Sequence, residues 1–141
     1  MKKTNTMTTK PIDPKQACGA KKMTFDSITA TLDLIVSAAA QSGADKYGPW
    51  NWLQLEDGTM SMMTYVNAVR RHWLLFKAGQ DYTSDTGIHN IDSIICGLSV
   101  LRDAMLFGKV NDDRVKMSPE QLELYEKYLN KEIPLTVEVK K

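Results

Sequence analysis

Apolar residues recur at every third or fourth position in four stretches of this 141-residue chain, and that spacing predicts four α-helices. The first helix is predicted over residues 24–42, where one apolar stripe would form along one face. The stripe consists of Phe25, Ile28, Leu32, Ile35 or Val36, and Ala39. Gly43 follows, at the position where a glycine commonly ends a helix.

The next two helices are predicted over residues 59–78 and 89–107, and a glycine follows each of them, Gly79 and Gly108. The apolar face of the second helix consists of Met60, Met63, Val66, Val69, Trp73 and Phe76. The third helix is the most apolar segment of the chain, so we expect it to be the most buried. Its apolar side consists of Ile91, Ile94, Ile95, Leu98, Leu101 and Met105.

The fourth helix is predicted from Ser118 to Leu129. Ser118 suits the N-cap, Pro119 suits the first helical position, and Gln121 completes a capping box. Beyond this helix, apolar and polar residues alternate from Ile133 onward, which is typical either of a short strand or of an unstructured end.

The four helices predict an all-α protein, a small helical bundle of about four helices. Residues 1–23 are polar and are expected to form a flexible N-terminal arm. The helical domain would then span residues 24–130, and residues 131–141 would form an extended C-terminal tail.

Charge and cysteine content narrow the functional classes. The formal net charge is only +1, whereas proteins that bind polynucleotides usually carry a clear basic excess. Cys18 and Cys96 suggest no disulfide framework, which indicates a reducing compartment. The basic N-terminus lacks the apolar stretch of a secretory signal, and no apolar run approaches the length of a membrane span. We therefore expect a cytoplasmic protein without membrane or polynucleotide partners.

The first group of candidate site residues lies between the first two helices: Lys46, Tyr47, Trp50, Asn51 and Trp52. A lysine suits phosphate, aromatic faces suit stacking on a base, and an amide can contact a base edge. The alternative is that the tryptophans fill one end of the bundle while Gly48 and Pro49 form a rigid turn.

The second group is Arg70, Arg71 and His72, late in the second helix. Adjacent helical residues point about 100° apart, so at most two of the three can face one pocket. Arginine can hold phosphate through two hydrogen bonds. The alternative is a solvated basic edge beside a partly buried histidine.

The third group is acidic and follows the second helix: Asp81, Asp85 and Asp92, with His89 and Asn90 among them. Hard oxygen ligands of this kind suit Mg²⁺ or Mn²⁺. The alternative is an ordinary polar loop followed by a carboxylate at the positive end of a helix dipole.

These groups together resemble a phage family, the dATP/dGTP diphosphohydrolases, which are related to the MazG-like all-α nucleotide pyrophosphohydrolases. Residues 46–52 are similar to its Lys-Tyr-Gly-x-x-Asn-Trp signature, and residues 65–72 resemble its Tyr-x-x-Ala-x-x-Arg-His helix. Residues 79–81 and 85–87 resemble its Gly-Glu-Asp and Glu-Ser-Gly loop. The resemblance covers about residues 24–107.

The resemblance implies an enzyme that uses a divalent metal, releases pyrophosphate from dATP or dGTP, and works as a homo-oligomer in the infected bacterial cytoplasm. Two positions depart from the family pattern. Gln80 stands where the family usually has glutamate, and Asn90 stands near a position that is often histidine. The Glu-Glu-x-x-Glu helix of MazG itself is missing from the sequence.

The resemblance therefore favours one hypothesis and leaves two others open. In the enzyme hypothesis, Asp81, Asp85 and Asp92 hold Mg²⁺ or Mn²⁺, with Asp81, Asp85 and His72 in catalytic roles. The substrate-binding residues are Lys46, Tyr47, Trp50, Asn51, Trp52 and Arg71. The second hypothesis is a nucleotide-binding protein without catalysis, for example one that sequesters or degrades a host immune signalling nucleotide. The third is an interaction protein with a methionine-rich, adaptable surface.

Overall fold

The computed structural model describes residues 13–55 and 59–136, and within these residues the chain is mainly helical. The elements in chain order are α1 (Pro14–Gly19), α2 (Ala30–Tyr47), a 3-10 turn (Asn51–Leu53), β1 (Met60–Ser61), α3 (Met62–Lys77), α4 (Asn90–Leu106), β2 (Val110–Asn111) and α5 (Pro119–Leu129). The all-α fold class is confirmed, with one short helix inside the segment expected to be an arm. The first twelve residues of that segment and the last five of the tail lie outside the described residues.

Helix α2 lies later in the chain than predicted. It begins at Ala30 because the residues before it form a turn and an extended N-cap at Thr29. Gly43 does not end the helix but lies inside it, which costs a helix only about 1 kcal/mol. The end comes at Gly48, whose φ of 87° is available to glycine without strain and whose N–H donates to Ala44 O at 2.8 Å.

Helix α3 begins slightly later than predicted, because Met60 and Ser61 form a short strand before it. This strand pairs in parallel with β2, with Met60 opposite Val110. Ser61 Oγ then caps the helix by accepting from Thr64 N at 3.1 Å. A second cap comes from Asp113, whose Oδ1 accepts from Met63 N at 2.9 Å, so the segment after α4 holds the start of α3 in place.

Helix α4 is central, since it packs against both α2 and α3. As predicted, it contributes the largest share of buried residues, including Cys96, Leu101 and Ala104. Gly97 allows α3 to approach closely, because a side chain there would meet Val69 Cγ2 at 3.0 Å. The buried apolar cluster lies where the end of α4 meets the start of α3: Met60, Met62, Leu101 and Ala104, with Trp52, Tyr65, Val66 and Val110 packed against it.

Helix α5 has the bounds and the capping box that the sequence predicts. Ser118 Oγ accepts from Gln121 N at 3.2 Å, and Gln121 Oε1 accepts from Ser118 N at 2.8 Å. The helix makes little contact with the other elements, and its leucines are exposed. Across the described residues, no helix is long and apolar enough to cross a bilayer.

Candidate functional site

The first and third groups of candidate residues meet at one point of the fold. Lys46 lies in the last turn of α2, and Asp85 lies in the loop between α3 and α4. Lys46 Nζ donates to Asp85 Oδ2 at 2.8 Å, although 39 residues separate them. The two segments expected from the sequence to share one nucleotide site are therefore neighbours.

This ion pair is open to solvent, with 44% of the Lys46 side chain and 64% of the Asp85 side chain exposed. The hydrogen bond raises the pKa of Lys46 and lowers the pKa of Asp85, so both groups stay charged near neutral pH. An exposed pair of this kind stabilises a fold only weakly and can be replaced by other charged partners. The hydrogen bond between them can therefore break, so that each side chain contacts a ligand instead.

The loop that carries Asp85 has a defined shape. Thr83 N donates to Ile88 O at 2.9 Å, and a bridge of antiparallel type joins Tyr82 to His89. Gly87 has a φ of 68°, which lets the chain turn back toward α4. The short hairpin that results places Asp85 at its tip.

The aromatic residues at the end of α2 and in the turn after it differ in exposure, and this indicates different roles. Tyr47 and Trp50 are 71% and 63% exposed, and Trp50 has a φ of 53°, which is unusual for a residue other than glycine. Both rings remain available for stacking. Asn51 is partly exposed and begins the 3-10 turn, so its backbone serves the local fold.

Trp52, in contrast, is partly buried against the apolar cluster, and its Nε1–H donates to Asp103 Oδ2 at 2.8 Å. Asp103 lies on α4, about 20 Å along the helix axis from Asn90 at its start. This placement favours the bundle-filling alternative for Trp52 over a role in stacking on a base.

His72 is half-buried and lies in a network centred on Asn90, whose side chain is fully buried with 0% exposure. Asn90 Nδ2 donates to Gln80 O at 2.8 Å, so Asn90 Oδ1 accepts from His72 Nδ1, also at 2.8 Å. Because an amide oxygen only accepts, Nδ1 carries the proton here. In the neutral ring, Nε2 of His72 therefore carries the lone pair.

The same network shapes the backbone beside Asp81. Asn90 N donates to Asp81 O at 2.7 Å, while Gln80 Nε2 donates to Tyr82 O at 2.9 Å. Gln80, which stands where the resemblance leads one to expect a glutamate, thus holds the loop instead of offering a carboxylate. Arg70 and Arg71 are both exposed on α3, so the second candidate group divides into a solvated edge and a half-buried histidine.

The three aspartates proposed as metal ligands do not come together as a group. Asp85 is paired with Lys46, and Asp92 lies half-buried in the first turn of α4. Among residues 13–55 and 59–136, no three His, Cys, Asp or Glu side chains are close enough to hold one metal ion. Asp85 lies in the hairpin and Asp92 in the first turn of α4, so the two are in different elements although they are close in sequence.

Two residues near the ion pair were missed in the sequence analysis. Gln41 and Asp45 lie on α2 and line a cleft of about 430 Å³ together with Lys46, and Thr86 and Ile88 form its opposite side. Their spacing of four residues on a helix was the available signal, since it places both side chains on one face. The position of the hairpin over that face could not be derived from the spacing.

Comparison with known proteins adds one finding. A sequence model of the family described as "dATP/dGTP diphosphohydrolase, N-terminal" matches residues 13–114. The match includes α1 and β2, so it extends beyond the segment of resemblance at both ends. No curated protein and no solved structure matches the chain.

Proposed function

The chain belongs to the dATP/dGTP diphosphohydrolase family, and from this membership we propose that it hydrolyses purine deoxynucleoside triphosphates to monophosphate and pyrophosphate. The observation that carries the proposal is the contact of Lys46 with Asp85 at 2.8 Å. It joins a segment suited to phosphate and base with a segment suited to activating water.

In the proposed reaction, a water oxygen forms a bond to the α-phosphorus of the substrate. The bond from that phosphorus to the oxygen bridging the β-phosphate breaks, and pyrophosphate leaves. Lys46 and Arg71 would offset the negative charge that develops on the phosphate oxygens. Tyr47 and Trp50, as exposed rings, would stack on the nucleotide, and Asn51 would orient a phosphate through its amide.

The water must lose a proton as it attacks, and His72 is the proposed acceptor. Its Nδ1–H donates to Asn90, so its Nε2 lone pair can take the proton in the neutral ring. Asn90 also limits rotation of the ring, because the amide is itself held by Gln80 O at 2.8 Å. Asp81 and Asp85 would orient the water through their carboxylates.

A divalent ion, Mg²⁺ or Mn²⁺, remains part of the proposal. Its proposed ligands are Asp81, Asp85 and Asp92. These three do not form a complete metal site within the described residues, and no step of the reaction is derived through a bound metal. Mg²⁺ often arrives with the phosphates of a substrate and needs only one or two protein carboxylates. The ion would then belong to the substrate, as a metal–nucleotide complex.

We also propose a homo-oligomer. Apolar side chains stay exposed on α2, on α3, and on α4 with the residue that follows it: Leu32, Leu34, Trp73, Leu74, Leu98, Leu106 and Phe107. Contiguous exposed apolar patches are typical of subunit interfaces, and we propose that these side chains contribute to one. Light scattering after size exclusion should give a mass of at least twice the 15.9 kDa of one chain.

The experiment for hydrolysis is pyrophosphate release from dATP and dGTP, with Mg²⁺ or Mn²⁺. Lys46→Met and Asp85→Asn should each lower kcat/KM by roughly a hundredfold, since the first removes a cation that offsets phosphate charge and the second a carboxylate that orients the water. The matched controls are Lys127→Met and Glu123→Gln, which break a similar exposed pair at 2.7 Å on α5. Unchanged rates in the first two variants would contradict the proposed roles.

A second candidate function is nucleotide binding without hydrolysis, including sequestration of a host signalling nucleotide. The observation that favours it is the absence, among the described residues, of a carboxylate group able to hold a metal without substrate. Heating the protein after incubation with dGTP separates the two functions. Recovery of intact triphosphate supports binding alone, and recovery of dGMP supports hydrolysis.

A further inference from the structure

The cleft beside the ion pair is built from two sides. Helix α2 contributes Ala38, Gln41, Ser42, Asp45 and Lys46, and the hairpin contributes Thr86 and Ile88. Its volume is about 430 Å³, and it is open to solvent on one side. Ala38 and Ile88 offer apolar surface for a flat ring, and the other residues are polar.

The polar wall of the cleft holds acceptors on Gln41 and Asp45 beside the donor groups of the other polar residues. Gln41 Nε2 donates to Asp45 Oδ1 at 2.8 Å. An ionised carboxylate only accepts, so the amide nitrogen of Gln41 must face Asp45. That leaves Gln41 Oε1 and the second carboxylate oxygen of Asp45 as acceptors for a ligand.

We infer that this cleft holds the base of the nucleotide and selects guanine over adenine, an inference that rests on the proposed function. Guanine has two adjacent donors on one edge, N1–H and the N2 amino group, and the second carboxylate oxygen of Asp45 and Gln41 Oε1 can accept from them. Adenine has one amino group beside the acceptor N1, so its edge would bring a lone pair against the carboxylate. Gln41 and Asp45 are therefore the proposed specificity-determining residues.

The distance to the phosphate-binding lysine agrees with this assignment. Gln41 precedes Lys46 by five residues on α2, about 7.5 Å along the helix axis, and Asp45 directly precedes Lys46. Lys46 Nζ in turn donates to Asp85 Oδ2 on the hairpin at 2.8 Å. A nucleotide with its base against Gln41 and Asp45 would thus extend its phosphates toward Lys46 and the hairpin tip at Asp85. The exposed ring of Tyr47 follows directly in the chain and would cover the outer face of the nucleotide.

Calorimetric binding of the monophosphates tests the inference without requiring hydrolysis. The wild-type protein should bind dGMP roughly tenfold more tightly than dIMP, which lacks the N2 amino group, and more tightly still than dAMP. Asp45→Asn should weaken dGMP binding by roughly tenfold and leave dAMP binding equal or stronger, because an amide can pair with adenine. Asp33→Asn, on the same helix outside the cleft, is the control and should change neither.

Three results would overturn the inference: equal affinity for dGMP and dAMP, preference for dAMP, or no binding of any of the three. An Asp45→Asn variant that keeps the wild-type ranking would do the same. Circular dichroism of each variant establishes that it remains helical. Failure of the proposed hydrolysis would appear separately, as intact dGTP recovered from a protein that still ranks dGMP above dIMP and dAMP.

Discussion

The cleft beside α2 and the corner where α3 meets α4 are built in opposite ways. At the cleft, Lys46 and Asp85 are largely exposed, and their hydrogen bond is made between groups that water also solvates well. At the corner, Asn90 is fully buried, and its amide satisfies His72 and Gln80 at once. The first arrangement can open for a ligand, whereas the second cannot open without leaving polar groups unpaired.

This difference separates residues that hold geometry from residues that can contact a ligand. Asn90 and Trp52 belong to the first kind, because each has a specific partner and little exposed surface. Lys46, Trp50 and Asp45 belong to the second, because their charged or aromatic groups remain accessible to solvent. Substitutions should therefore affect stability in the first set and nucleotide binding in the second.

The largest effect on stability is expected at the corner. Asn90→Leu would leave His72 Nδ1 and Gln80 O without their partner in a buried place, which should lower the free energy of unfolding by about 3 kcal/mol. Urea denaturation followed by circular dichroism measures the change. The control is Asn67→Leu on the exposed side of α3, where the change should stay within about 0.5 kcal/mol. Equal changes in the free energy of unfolding in the two variants would show that the buried hydrogen bonds of Asn90 do not stabilise the fold.

A smaller effect should distinguish the two tryptophans. Trp52→Phe keeps an aromatic ring in the apolar cluster but removes the donor to Asp103, and should lower the free energy of unfolding by about 1.5 kcal/mol. Trp50→Phe should leave urea denaturation unchanged, because that ring is exposed. Nucleotide affinity should fall in Trp50→Ala and stay unchanged in Trp52→Phe. A loss of affinity confined to Trp52→Phe would restore Trp52 as a stacking residue.

The smallest effect concerns the titration of the ion pair. Lys46 lowers the pKa of Asp85, so the favourable contribution of that carboxylate is present above the pKa of an unfolded aspartate, about 4, and is lost as pH falls through the lower folded value. Carbon-13 NMR of the Asp85 carboxyl should show a midpoint below that of an ordinary aspartate. In Lys46→Met the midpoint should rise toward the ordinary value. Identical midpoints in both proteins would mean that the two side chains do not meet in solution.

Local features of the sequence predicted the elements well where local chemistry decides them. The capping box of α5 depends on Ser118 and Gln121 alone, and the ends of α3 and α4 at Gly79 and Gly108 depend on one glycine each. The predicted end of α2 was wrong because Gly43 and Gly48 are both plausible endings, and its predicted start was wrong because a turn precedes Ala30. Only Gly48, next to Pro49, adopts a positive φ.

The site was predictable only in part, because its contacts join distant segments. The spacing of residues suggested phosphate and acidic groups but could not show that Lys46 would lie 2.8 Å from Asp85. The resemblance placed both in one site, and the structure brings them together. Two further features depend on how the helices pack, which no single segment encodes. They are the hydrogen bond between His72 and Asn90 and the cleft wall formed by Gln41 and Asp45.

If a purine nucleotide binds where α2 and the hairpin meet, dGMP should protect both segments from hydrogen exchange. Hydrogen exchange followed by mass spectrometry, with and without saturating dGMP, measures this protection. Exchange should slow in peptides covering residues 38–52 and 80–92 and stay unchanged across residues 117–136, which include α5. Protection confined to residues 117–136, or absent from both of the other segments, would show that the nucleotide does not bind there.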